Sequence, residues 1–391
     1  MMQRISLIVS AIFCLLLIAG CNVGVAPGEI DGSFPDSGRA DSGGGGEDAG
    51  HDAGTDTGFD VGVDGGEDAG DVGWIDASTD AGTDAGPPDS GPDSGPPDAG
   101  PPGKWVQIKK ADPDAGYVGR ESPAGTSHYG KLWFSGGIDK DSTTMDDVWS
   151  STDGVKWDLV KANDGAGFPS RGMHCMVSHA SKLWVIAGSY SQVVVASDVY
   201  SSVDGVSWTM VKPDDESSFP KRGYHGCASF NGRLWVIGGG TVDSSGNLPY
   251  LNDVWSSADG ATWKLESNAP FSPRDLFAVA VFNGRLWVIG GATENGFDGE
   301  VWSSPDGVSW KLEKPNGTGF EPRMMHTAVV YGGYLWVLDG GQKYSTFGDV
   351  WTSWNGGDWE LQITSDGSTP PKRSRAMSMA LGDRVYLFGG V

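Results

Sequence analysis

Between residues 104 and 391 one line of sequence recurs six times at intervals near fifty residues. It reads Leu132-Trp133-Phe134-Ser135-Gly136-Gly137, then Leu183–Gly188, Leu234–Gly239, Leu286–Gly291 and Leu335–Gly340, and finally Val385-Tyr386-Leu387-Phe388-Gly389-Gly390. A short apolar run closed by glycine reads as a buried strand that ends in a tight turn. A unit repeated at this period cannot bury its apolar faces by itself and must stack on copies of itself.

Other features keep the same register. An arginine precedes each of these lines by twelve residues: Arg120, Arg171, Arg222, Arg274, Arg323 and Arg373. A hairpin signal follows each variable loop. It is Asp147-Val148-Trp149-Ser150-Ser151-Thr152-Asp153-Gly154-Val155-Lys156-Trp157, and it returns as Asp198–Trp208, Asp253–Trp263, Glu300–Trp310 and Asp349–Trp359. Asp-Gly between two strands predicts a two-residue type I′ turn, which needs positive φ. Each repeat therefore reads as four strands, and no segment has a helical apolar period. The expectation is an all-β chain, a propeller of six four-stranded blades with tryptophan filling the gaps between them.

The double glycine, the aromatic residue about twelve positions later (Trp149, Tyr200, Trp255, Trp302, Trp351), the terminal Trp and Arg-x-x-His at Arg171–His174, Arg222–His225 and Arg323–His326 together resemble the kelch-repeat β-propellers. The resemblance covers 104–391. It implies a recognition face built from the loops after each glycine pair (138–146, 189–197, 240–252, 292–299, 341–348) and those ahead of each repeat arginine. Galactose oxidase shares this architecture, but its copper ligands and Tyr–Cys crosslink find no counterpart here. The hairpin is also one residue shorter than a sialidase Asp-box.

The chain stops after the second strand of the sixth repeat. Lys104–Ile108 reads as a fourth strand that closes this last blade from the other end of the chain. That leaves the Asp-Val-Trp strand missing. Asp71-Val72-Gly73-Trp74-Ile75-Asp76 is a candidate substitute that would pair into blade six; the alternative is a blade of three strands.

Ahead of the repeats the composition changes. Arg4 precedes an apolar run from Ile5 to Ile18, which ends in Leu17-Ile18-Ala19-Gly20-Cys21. This resembles the signal peptide and lipobox of bacterial lipoproteins, with residues 1–20 removed and Cys21 lipidated. Residues 22–103 hold 19 Asp/Glu against one basic residue, Arg39, in a background of Gly, Ala, Ser and Pro. Such a segment buries too little apolar surface to fold, so 21–103 is expected to be a disordered linker. The resulting picture is an exported protein of the bacterial cell envelope, lipid-anchored at the outer membrane or cell surface. The net charge of −24 argues against nucleic acid as a partner.

The chemistry is less marked. The six repeat arginines share one level of the ring; they read as scaffold groups that bond carbonyls of adjacent blades, and alternatively as candidate ligand contacts at the channel mouth. Tyr190, Tyr250, Phe297, Tyr344 and Phe347 are candidate contacts in the loops. His174, His225 and His326 recur as part of the repeat and are read as structural rather than as metal ligands. Cys175 and Cys227 lie on adjacent inner strands, where a disulfide is open, because alternation of side chains could point them apart. No cofactor and no catalytic set is expected. The leading reading is a monomeric, surface-displayed binding module for a protein or glycan. The alternative is a carbohydrate-active enzyme, of oxidase or epimerase type, with its site at the channel. Asp275 and Asp339, which break the local repeat, are then the first acids to test.

Overall fold

The computed structural model describes residues 73–77, 104–109, 117–191, 194–215, 217–243, 245–363 and 371–391. Residues 1–72, with the signal sequence and Cys21, lie outside the described residues. Every regular element among the described residues is a β-strand. Five antiparallel sheets each have four main strands that follow one another along the chain, with short two-residue strands lying between or beside them in three of the five. The first is Ala124–His128, Lys131–Ser135, Val148–Ser151 and Asp158–Lys161, ordered from the centre outward. The sheets that follow begin with inner strands Cys175–His179, Gly226–Phe230, Ala278–Phe282 and Thr327–Tyr331.

The last sheet is composite. Its inner strands, Met377–Leu381 and Arg384–Phe388, come from the end of the chain. Its outer strands, β1 (Gly73–Ala77) and β2 (Lys104–Lys109), come from the start. β1 pairs with both neighbours, Trp74 opposite Leu387 on one side and opposite Gln107 on the other. Residues 73–77 therefore stand inside a sheet, at the candidate cluster within the 21–103 segment expected to be disordered linker. A strand of five residues needs little apolar area of its own when both edges find partners.

The connection between third and fourth strands differs from the expected type I′ turn. Type I′ requires two consecutive positive φ angles, but here Gly154 alone has one, at 73°. The turn is wider and is held by side chains. Ser151 Oγ accepts the Gly154 N–H at 2.8 Å, and Asp153 Oδ1 accepts the N–H groups of Val155 and Lys156 at 2.8 and 2.9 Å. The Trp157 indole then donates to the Gly154 carbonyl at 3.1 Å. Ser and Asp suit this because their short oxygens compete for local backbone donors. The same bonds recur around Ser202, Ser257, Ser304 and, with Asn355 replacing Asp, Ser353.

Six residues close the centre. Ser122, Met173, Tyr224, Leu276, Met325 and Arg375, each two positions after a repeat arginine, all have φ between 52° and 61°. Each donates its backbone N–H to the carbonyl of the preceding one, and Ser122 donates to Arg375, at distances from 2.9 to 3.4 Å. The result is a closed hydrogen-bonded belt around the axis. It holds six non-glycine residues in a left-handed conformation that costs about 1–2 kcal/mol each.

Between blades, tryptophan rings meet glycine. The Leu-Trp-Val strands are fully sequestered: Trp133, Trp184, Trp235, Trp287 and Trp336 are buried. Each first-turn glycine lies on the aromatic ring of the preceding sheet, Gly205 on Trp133, Gly260 on Trp184, Gly307 on Trp235, Gly356 on Trp287 and Gly154 on Tyr386. Flat glycine surfaces let the large rings bury most of their area, each contributing about 1.5–3 kcal/mol. Phe168, Phe219, Phe271 and Phe320 fill the next layer, edge-on to Trp208, Trp263, Trp310 and Trp359.

Candidate functional site

The six repeat arginines do not edge the channel as binding groups. Arg171, Arg222, Arg274 and Arg323 are fully buried, and Arg120 and Arg373 nearly so. Each donates back to a carbonyl two residues earlier and across its own blade to the first residue of the glycine pair. For Arg171 these are the Pro169 carbonyl at 3.0 Å and the Ala187 carbonyl at 2.8 Å. Four of them then form a two-pronged pair with the aspartate that heads the repeat hairpin motif: Asp147, Asp198, Asp253 and Asp349. Arg274 instead divides its contacts between Asp298 at 3.0 Å and Glu300 at 3.2 Å. Arg373 donates to the Gly389 carbonyl at 2.9 Å. The same carboxylates accept an indole N–H, from Trp149, Trp255 and Trp351 at 2.7 Å. Burial alone would raise the Asp253 carboxyl, but the Arg222 guanidinium and the Trp255 donor outweigh it and hold it below the usual range. These arginines set the geometry of the loop-bearing ends of the blades.

The loop aromatics divide. The Tyr190 hydroxyl donates to Asp198 at 2.7 Å and its ring lies 5.1 Å from the Arg171 guanidinium, so it extends the internal pair. The Phe347 ring covers Arg323 at 4.5 Å. Phe297 packs with Leu276, Ala292, Met324 and Met325 beside the channel mouth. Tyr250 is half-buried at the start of its strand. Tyr344 is 87 % exposed, with the Lys343 ammonium 5.1 Å from its ring. Among the five candidates Tyr344 alone presents most of its surface outward.

The central cavity is about 170 Å³. Its lining includes Met173, His174, Tyr224, His225, His326 and Arg375. His174 Nε2 lies 3.0 Å from Ser135 Oγ of the preceding blade. Burial, with Arg222 and Arg323 adding to it, pushes His225 and His326 down to about 3, so both imidazoles are neutral. Among the described residues no group of three His, Cys, Asp or Glu is arranged to hold a metal ion. Arg375 and Glu121 form a buried pair at 2.6 Å across the junction of first and last blades. Neither stood out in the sequence, since each occupies a position that varies from repeat to repeat.

The histidines also explain the glycine pairs. A side chain on Gly136 would meet His174 of the next blade, and one on Gly290 would meet His326. In repeat five the order is inverted: Asp339 stands in the glycine position, at φ 58°, and the residue corresponding to the histidine is Ala376. Asp339 is fully buried and burial raises its carboxyl well above the usual range. Asp275, next to the channel residue Leu276, is raised by burial to about 8, and its Oδ1 has no hydrogen-bond partner.

Cys175 and Cys227 form a disulfide with Cα atoms 6.1 Å apart. Ladder positions explain why alternation does not separate them. Cys175 pairs with Ile186 and Gly226 with Ile237, so Cys227 sits one place further along its strand than Cys175. Facing blades present opposite faces to a shared gap, and a one-residue offset puts both sulfurs into it.

A family model for the KLHDC2/KLHL20/DRC7 Kelch-repeats domain matches residues 257–390. No curated protein matches the chain. The matched stretch ends on the Gly389-Gly390 pair and shares its strand order, glycine pairs and arginine–acid pairs with the sheets before it. The family match over 257–390 and the ring of sheets around it together support a kelch-repeat β-propeller.

Proposed function

We propose that this protein is a protein-binding module of six blades, displayed from the bacterial cell envelope by a lipid on Cys21 and working as a monomer. The reading rests on how the repeated chemistry is used. Arginines, acids and histidines recurring in the repeats are engaged inside or buried within the scaffold, which leaves recognition to the loops. Those loops differ in length and character from blade to blade while the strands do not. Tyr344, exposed beside Lys343, is the most accessible aromatic anchor on that face. Tyrosine offers large contact area at low entropic cost, as expected for a contact that dominates an interface.

The test replaces residues 342–346 and, separately, the exposed residues 294–296 by Gly/Ser in the full chain. Binding is then measured to an array of envelope proteins and to a glycan array. A ligand whose affinity falls more than about tenfold (about 1.4 kcal/mol) in either variant, at unchanged melting temperature, supports the reading. Glycan-only binding changes the ligand class. Binding indifferent to both replacements overturns the assigned face. A second reading, a carbohydrate-active enzyme, draws on Asp275, a carboxyl raised to about 8 beside the channel mouth. Peroxide or epimer formation from a sugar panel, lost in Asp275→Asn, would carry it.

A further inference from the structure

Asparagine is followed by glycine five times in the chain, at Asn231, Asn283, Asn295, Asn316 and Asn355. This dipeptide carries its own chemistry. The glycine nitrogen can attack the asparagine side-chain amide carbon and close a five-membered imide, since no Cβ shields the approach. The attack needs an asparagine amide free to turn and space in which the ring can form.

Four of the five are restrained. At Asn355 the Gly356 N–H is already donated to Ser353 Oγ at 2.7 Å. The Asn355 Oδ1 accepts the Gly357 and Asp358 N–H groups at 2.8 and 2.9 Å, and its Nδ2 donates to Asp358 at 2.9 Å. The Trp287 ring closes the space over Gly356. The Asn316 Oδ1 accepts the Gly299 N–H at 2.7 Å. Asn231 and Asn283 stand at φ 48° and 47°, with Gly232 and Gly284 at 68° and 67°, the two positive angles of a type I′ turn. Their amides donate across to the neighbouring sheet, to the Pro305 carbonyl at 3.4 Å and the Trp354 carbonyl at 3.3 Å.

Asn295 differs. It lies at the tip of the hairpin joining Arg285–Thr293 to Gly296–Ser304, where Thr293 is opposite Gly296. Only main-chain groups are tied there. Thr293 Oγ1 accepts the Asn295 N–H at 3.2 Å and donates to the Gly296 carbonyl at 3.0 Å. Among the described residues the Asn295 side-chain amide makes no hydrogen bond. Residues 294–296 are exposed, and a Cβ on Gly296 would meet nothing within 4 Å.

We propose that Asn295 is a modification site, converted without any enzyme to aspartate and isoaspartate. The Gly296 nitrogen bonds to Asn295 Cγ, its proton passes to solvent base, and the side-chain nitrogen leaves as ammonia. Water then opens the imide at one carbonyl or the other. The sum is one water consumed and one ammonia released, with no change of oxidation state. The product sets a second carboxylate beside Glu294 at the tip of the 292–299 loop. In its isoaspartyl form it also lengthens the main chain where Thr293 faces Gly296. The modification needs no ligand, so it stands apart from the reading of this loop as part of a recognition face.

The test incubates the full chain in mildly alkaline buffer, folded and in urea side by side. Peptide mapping by mass spectrometry reads the exchange of NH2 for OH at all five asparagines. In the folded chain Asn295 should react at least about tenfold faster than each of the other four, since those react only through local opening. In urea the five rates should converge. Isoelectric focusing of the folded chain should show a more acidic species that grows with time and is missing in Asn295→Ser. The proposal is overturned if any of the other four matches Asn295 in the folded chain. It is overturned as well if folding suppresses the Asn295 rate as strongly as that of Asn355, or if the acidic species persists in Asn295→Ser.

Discussion

The Asp339 carboxylate lies 3.9 Å from Arg373 Nε and neither of its oxygens has a hydrogen-bond partner. Its backbone carbonyl accepts from Arg323 at 2.9 Å, so the residue is fixed by its main chain while its side chain fills the space facing Ala376's blade. Burial outweighs the nearby guanidinium and the carboxyl is raised. A group raised in the folded state contributes its stability below the unfolded value, near 4, and that contribution disappears as pH climbs through the folded value. Asp339→Asn should therefore melt higher than the parent at pH 7, with the advantage vanishing near pH 3. Asp275→Asn should behave the same way, its gain accumulating between pH 4 and the folded value of about 8. Thermal melts of both variants from pH 3 to 8 check the sign. A parent that gains on Asp339→Asn as pH rises would contradict it.

Arg222 and Asp253 form one of the internal pairs, with two guanidinium–carboxylate bonds of 2.8 Å and the Trp255 indole on the same carboxylate. Removing one member strands a buried charge. Arg222→Met should cost about 3–5 kcal/mol, whereas Arg222→Met combined with Asp253→Leu should recover much of it, since a buried pair contributes little net stability over apolar residues of similar volume. A urea-melt double-mutant cycle measures this. Equal losses in the single and double variants would assign the stability to the guanidinium contacts with the Pro220 and Gly238 carbonyls instead.

How far the sequence spoke for the fold depends on what each residue does locally. Leu-Trp-Val-Ile-Gly-Gly was legible because its information lies within six consecutive positions. The acid partners of the arginines were not legible because they are distant: Asp147, Asp198 and Asp349 lie 27, 27 and 26 residues away, and Asp253 lies 31 away from Arg222 across a longer loop. One acid per arginine at the head of each Asp-Val-Trp strand was nevertheless a usable signal. Trp74 announced a strand because it broke the composition around it, while Glu121 and Arg375 meet only through ring closure and carry no local mark. The disulfide was obscured by reasoning within one sheet, where alternation separates neighbours, when the relevant geometry is that of two sheets facing each other.

The Cys175–Cys227 bridge ties two blades at their inner strands, next to His174 and His225. Its loop spans 52 residues, within which the chain completes one whole sheet. Closing a loop of that size lowers the entropy of the unfolded chain, and Cys175→Ala with Cys227→Ala should cost about 2–4 kcal/mol. Both positions are half-buried against Val177, Ile186 and Trp255, so the double alanine chain should still fold. The melting temperature should drop on adding reductant to the parent and not respond in the double variant. A parent indifferent to reductant would show that the inner-strand packing holds these blades without the covalent link.

The turn glycines make the sharpest demand of all. Gly307 has φ 74°, and a Cβ there would stand 2.0 Å from the Trp235 ring, with Gly260 against Trp184 at 2.2 Å close behind. Backbone conformation and space act together: alanine pays for a left-handed φ, and the indole, enclosed by Ile237, Val254 and Phe230, has nowhere to retreat. The left-handed penalty alone is about 1–2 kcal/mol, and displacing a packed ring adds about 1–3 kcal/mol. Gly307→Ala should therefore destabilise far more than Gly317→Ala, which shares a positive φ of 83° but has open space around its Cβ. The difference between the two melts isolates the packing term from the conformational one. Trp235 fluorescence should shift only in Gly307→Ala. If both variants lose the same stability, the interlock of turn and tryptophan between neighbouring blades is not what holds the ring together.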